Sequence, residues 1–174
     1  MRLLIGLIVL IAQASLTSAP GDRYFGKLKM SALRIRYETM QLRKRYETHE
    51  LLPEQAEHLL ILTDEAYQEW TRLYPRDPWL PSTGFALARL YQELPGTHAR
   101  DRAIALFTDV KSRFPTSPYA RLSRDQLHRG IATKPYPTWA TAMRATPSPA
   151  ASAISSPAAS TTPSTAPQPS PTPS

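Results

Sequence analysis

Four histidines, His49, His58, His98 and His128, are the side chains of this 174-residue chain best suited to acid–base or metal chemistry, and they are scattered. The stretch "THELLPEQAEH" has the outline of a zinc-protease helix, in which two imidazoles one turn apart reach a metal from one face. Here His49 and His58 are nine positions apart with Leu52-Pro53 between them, so a single turn cannot present both. With no Cys, there is no thiolate ligand, no thiol nucleophile and no disulfide staple. Six glycines form no phosphate-cradling loop, and no serine occupies a nucleophile elbow. Asp64, Glu65 and Glu69 read as a solvated helix face, not as a general acid and base. The expectation is a non-enzymatic protein with no catalytic residue, metal or cofactor.

Charge says more by position than by total. Residues 21–50 carry eight Lys/Arg against four acids, whereas residues 51–131 carry ten of each. The basic excess therefore belongs to the segment 25–50, densest at Arg43, Lys44 and Arg45. Such a strip suits anionic lipid headgroups or acidic cell-wall polymer. Nucleic acid is not expected, because the chain reads as exported.

That reading comes from the opening "MRLLIGLIVLIAQASLTSAP". A basic Arg2, an apolar run from Leu3 to Ala12 and small residues after it have the layout of a signal peptide over 1–19, cut after Ala14 or Ala19. The product is periplasmic or secreted. The strongly apolar run is shorter than the twenty or so residues that span a bilayer. The alternative is an uncleaved anchor, which makes 25–50 a juxtamembrane stalk able to dimerise through Phe25, Leu28, Ile35 and Leu42. At the other end, residues 132–174 are expected to be a disordered spacer. From Ala145 on nearly every residue is Pro, Ser, Thr or Ala, apart from an isolated Ile and Gln, a composition too poor in apolar surface to offset the entropy of ordering and shared with O-glycosylated stalks. The chain has no Asn, which excludes N-glycosylation.

Between these ends, apolar residues recur every three or four positions and no run alternates. One stripe is Phe25, Leu28, Ala32, Ile35, Thr39, Leu42, Tyr46. A second on the same segment, Met30, Leu33, Tyr37, Met40, predicts a helix packed against more than one neighbour. Further helices begin near Pro53, Pro78, Ala99 and Pro118, and the last ends near Gly130. The chain is expected to be all-α.

Two corners punctuate these helices: "YPRDPW" at 74–79 and "FPTSPY" at 114–119. Each runs aromatic, proline, any residue, an Asp or Ser cap, proline, aromatic, and the match extends at one offset through Tyr67 with Phe107, Trp70 with Val110 and Leu87 with Leu127. A repeat of this length predicts stacked helical hairpins that share one apolar interior. The residues Ala103, Phe107, Val110 and Phe114-Pro115 resemble the second helix and exit proline of a tetratricopeptide repeat, and Leu87, Ala88 and Tyr91 its first helix. The corner is similar to a variant found in bacterial envelope proteins. The resemblance covers 59–131 and implies a short stack of antiparallel hairpins, about five helices, within a domain of 21–131. It also implies an adaptor that binds an envelope protein or peptide on a concave surface lined by the first helix of each pair. The residues assigned to that surface are Arg89, Gln92, Glu93, Arg121, Arg124 and His128.

Overall fold

Residues 18–145 are described by a computed structural model. The sequence expectations for the signal segment up to 17 and for the tail from 146 lie outside the described residues. The chain is all-α, a small stack of antiparallel helical hairpins: α1 (Ala32–Glu47), α2 (Pro53–Leu73), α3 (Leu80–Glu93), α4 (Thr97–Arg113), α5 (Pro118–Arg129) and α6 (Thr138–Ala145). Each of α1 to α5 packs on its chain neighbour, and α3 also touches α1 and α5. Alternate helices α1, α3 and α5 thus lie side by side, backed by α2 and α4.

The two corners share their turn but not their helix start. Ser117 is the N-cap of α5, which begins at Pro118. By contrast, α3 begins at Leu80 with Trp79 in the cap place, so Asp77 holds the turn before the helix and not its first residue. Tyr74 and Phe114 leave their helices at φ −129°, ψ 60° and φ −126°, ψ 54°. Three residues later the Asp77 amide donates to the Tyr74 carbonyl (3.0 Å) and the Ser117 amide to the Phe114 carbonyl (2.9 Å). The Asp77 carboxylate accepts from the Trp79 amide (2.9 Å) as the Ser117 hydroxyl does from Tyr119 (3.2 Å). The side chain thereby satisfies a backbone donor that the incoming helix leaves unpaired, and the following proline has no N–H to lose. Tyr67, Trp70, Phe107 and Val110, the residues leading into the corners, are all buried in the core, with Leu60, Leu80, Leu87, Leu90 and Leu106.

The first helix is shorter than its periodicity predicts. Residues 25–30 form a tight turn in which Phe25 and Met30 exchange both backbone hydrogen bonds (2.8 and 2.9 Å). Gly26, at φ +66°, lies against Ala66, where a Cβ would come within 2.7 Å of the Ala66 Cβ, and its amide donates to Glu69 (2.7 Å). The turn inserts the Phe25 ring edge-on to Tyr74 and parallel to Trp70. Phe25 is therefore core, as its place in the stripe implied, but Leu28 falls on the exposed side of the turn. Since Phe25, Ile35 and Leu42 are buried inside the domain, the stalk-dimer face expected from them does not exist.

A second correction concerns the C-terminal boundary. Residues 132–145, expected to belong to the spacer, dock on the domain and include α6. The Arg100 guanidinium donates to the Ile131 carbonyl (2.8 Å) and the Gly96 amide to the Lys134 carbonyl (3.1 Å). Farther on, the Tyr136 hydroxyl donates to Glu54 (2.8 Å), Arg144 pairs with Glu54, and Trp139 stacks on His49 with its edge near Tyr46. The segment is a strap that runs from the end of α5 past the α3–α4 turn to the α1–α2 turn. Its anchors are two aromatics, one arginine and two backbone carbonyls, which no periodic pattern announces.

Candidate functional site

The α1–α3–α5 layer gathers most of the groups singled out for binding. Glu93, near the end of α3, holds Arg43 of α1 at 3.0 Å and Arg89 one turn earlier at 4.0 Å. Arg43 also donates to Glu47 at 2.8 Å, the pairing that raises its pKa above the ordinary value. Gln92 meets Gln126 of α5 at 3.3 Å. In that contact the Gln126 oxygen accepts from Gln92; with its amide turned over, the oxygen accepts instead from Arg89 (3.3 Å) and Arg129 (3.0 Å), and the bond from Gln92 is given up. The result, with Gln126 in the turned orientation, is a polar ladder across three helices: Arg43, Glu93, Arg89, Gln126, Arg129.

Arg89, Gln92 and Glu93 are thus brought together, and Arg121, Arg124 and His128 are not. The latter three are exposed on α5. Residues two apart on a helix point about 200° apart, so Arg124 and His128 face away from Gln126 and hence from α3. Sequence reasoning missed Gln126 and Arg129, although a signal was present. The offset that pairs Leu87 with Leu127 also pairs Arg89 with Arg129.

Of the basic cluster, Arg43 is committed to Glu47 and Glu93, and Arg45 lies 3.8 Å from Glu50. Lys44 alone of the three has no ion-pair partner among the described residues. The second stripe of this segment does not pack as expected. Met30 is buried, but Leu33, Tyr37 and Met40 are 72%, 57% and 66% exposed. Beside them the Arg36 guanidinium lies 3.8 Å from the centre of the Trp79 ring, which is itself half exposed.

The carboxylates read as a solvated face divide by role. Asp64 is buried, gripped by Arg102 through two hydrogen bonds (2.5 and 2.8 Å) and by the Tyr91 hydroxyl (3.3 Å). The bond to Asp64 raises the Arg102 pKa, and burial together with the Asp64 charge pushes the Tyr91 phenol upward. Glu69 receives the Gly26 amide and Glu65 pairs with Lys27 at 2.9 Å, both half-buried. A charge that sits on an amphipathic boundary looks solvated in sequence, and the third helix packing over it is what buries it. Among the histidines, His98 reaches Glu57 at 2.7 Å. Among the described residues no helix is long and apolar enough to cross a membrane.

No family model matches this chain, and no match is found among the curated proteins or the solved structures.

Proposed function

We propose that this chain is an exported, non-enzymatic adaptor of the tetratricopeptide-like kind, which holds a protein or peptide of the cell envelope against the α1–α3–α5 layer. The observation that carries the reading is the ladder through Arg43, Glu93, Arg89 and Gln126. It joins one helix from each successive hairpin into a continuous polar strip over a rigid apolar base. In a stack whose hairpins repeat, that layer is the surface a bound segment can follow from hairpin to hairpin. The guanidinium groups already held by Glu93 and Gln126 are pre-oriented, so less side-chain entropy is lost when they meet a partner's carboxylates or carbonyls.

Site-specific photo-crosslinking in intact cells tests this. A photoreactive residue at Arg89 or Gln126 should give a discrete adduct with one envelope protein, and the same residue at Ala105 or Thr108, exposed on α4, should not. Equal labelling from both layers, or none from α3 and α5, would rule out binding on this layer.

A further inference from the structure

The outward face of α1 carries an inference that goes beyond the adaptor reading and does not depend on it. Leu33, Tyr37 and Met40 are exposed at i, i+4 and i+7, and Lys44 continues the row one turn later. On a helix of 3.6 residues per turn these four fall within one narrow stripe. It lies opposite the stripe of Ile35, Thr39 and Leu42, which α1 buries in the domain. Cations flank it on both sides, Arg34 and Arg45 on one and Arg36 and Arg43 on the other. Within α1, five Lys/Arg stand against two Glu.

We propose that this stripe rests on an anionic lipid surface, with the three apolar side chains in the headgroup zone and the surrounding cations against lipid phosphates. Three observations choose this occupant. The first is charge. Glu38, Glu47, Glu93 and Glu50 answer Arg34, Arg43 and Arg45, and among the described residues no carboxylate answers Lys44 or Lys29. A second copy of the chain meeting this face would bring the same cations against each other. An anionic bilayer supplies both a negative surface potential and an apolar layer just beneath it.

The second observation is the pattern. A folded acidic protein would match the charge, but it would have to offer a fitted apolar groove. A bilayer accepts a row of apolar side chains of unequal length, such as these, without a fitted surface. The third is where the chain leads. Ser18 lines the same cavity as Leu33, Arg36 and Trp79, at the N-terminal end of the stripe. The residues before it include the apolar run from Leu3 to Ala12. The chain therefore enters the described domain at this end of the stripe.

The absence of Cys makes a clean experiment possible on the full chain. Met40→Cys or Thr108→Cys supplies a single thiol for an environment-sensitive fluorophore. With vesicles of phosphatidylglycerol and phosphatidylcholine, the probe at 40 should brighten and shift to the blue, and the probe at 108 should not. The response should fade with salt and be weak on phosphatidylcholine alone. Lys44→Gln should weaken binding about fivefold, the effect of one cation at such a surface. Leu33→Ser with Tyr37→Ser should weaken it by more than about tenfold, with the helical circular dichroism unchanged, because both side chains are solvent-exposed.

Four results would each overturn the proposal: no shift at 40; equal shifts at 40 and 108; equal response to charged and neutral vesicles, which assigns binding to the N-terminal run; or a shift at 40 caused by unlabelled protein or an acidic polypeptide and not by vesicles. The crosslinking result at Arg89 stands or falls separately.

Discussion

Replacing Gly84 by Ala should destabilise the domain, although helix propensity alone says the reverse. In a helix interior, Ala is favoured over Gly by about 1 kcal/mol. Gly84 lies in α3 where α2 and α4 close on it from two sides. A Cβ there would stand 2.9 Å from both the Tyr67 Cζ and the Val110 Cγ2, and closer still to the Tyr67 hydroxyl oxygen. Neither neighbour can retreat. Tyr67 is 2% exposed and tethered by its hydroxyl to the Leu80 carbonyl at 3.2 Å, and Val110 is fully buried. Contacts under 3.0 Å with anchored side chains of two different helices place the cost at the upper end of the overpacking range, about 3 kcal/mol. Net of the propensity gain, the loss is about 2 kcal/mol, which for a domain of this size lowers Tm by about 8 °C. Thermal denaturation followed by circular dichroism measures it. Tyr67→Phe removes the nearest atom, so the double variant Gly84→Ala/Tyr67→Phe should be more stable than the sum of the single changes by at least about 1 kcal/mol. If Gly84→Ala raises Tm, or if the double variant is merely additive, three-helix closure does not constrain this position.

Arg102→Met should cost about 3–5 kcal/mol in urea unfolding, because it strands a buried Asp64 carboxylate, and combining it with Asp64→Leu should restore most of the loss. The corners predict an asymmetry. Ser117→Ala loses one cap, about 1 kcal/mol, whereas Asp77→Ala also strips partners from the Trp70 indole N–H (3.1 Å) and the Ala19 amide (2.7 Å) and should cost about 3 kcal/mol. Stability should also fall in alkali. Burial raises the Tyr67 phenol from 10.0 to about 12 and pushes Tyr91 upward too, so the unfolded state loses these protons first. Their contribution is complete below pH 10 and is lost as pH rises toward 12, at about 1.4 kcal/mol per pH unit for each tyrosine, and Tyr67→Phe should about halve that slope. Trp139→Ala should release residues 131–145, seen as faster amide exchange at Gly96 and across α6 with little change in α2 to α4.

The parts of the fold legible in the sequence are those with local causes. Proline, an Asp or Ser and an aromatic at fixed offset specify a corner without reference to the rest of the chain. Both corners share the same backbone turn bond and the same bond from the aromatic's amide to the Asp or Ser side chain. Helix ends marked by Pro53, Pro118 and Gly130 fall where their backbone chemistry puts them. What was not legible depends on a partner from elsewhere in the chain. Asp64 is buried because Arg102 arrives from 38 residues away, and the strap of residues 131–145 is ordered because Glu54, Tyr46 and His49 wait at a turn formed much earlier in the chain. The periodicity of 25–46 extended a helix through Gly26 because a Phe buried by a turn and one buried by a helix occupy the same place in a list of apolar positions.

The two apolar faces of α1 carry that point over to function. Periodicity reports that both Ile35-Thr39-Leu42 and Leu33-Tyr37-Met40 can leave water, and it is silent on which of them has somewhere to go. Inside the domain only the first does, since α2 and α3 occupy that side alone. The second face, left in water, exposes three large side chains in one row, and their transfer to an apolar phase is worth roughly 1.5–3 kcal/mol for each that is fully buried. A row of this kind without charge would invite self-association. The cations that border it oppose that outcome and favour a negatively charged partner at once. The same residues that keep the face from joining its own copies therefore set the sign of what it meets. Reversing them, with Arg34→Glu, Arg36→Glu and Lys44→Glu together, should abolish binding to anionic vesicles and transfer it to cationic ones, whereas a stripe that acts through its apolar atoms alone would bind both equally.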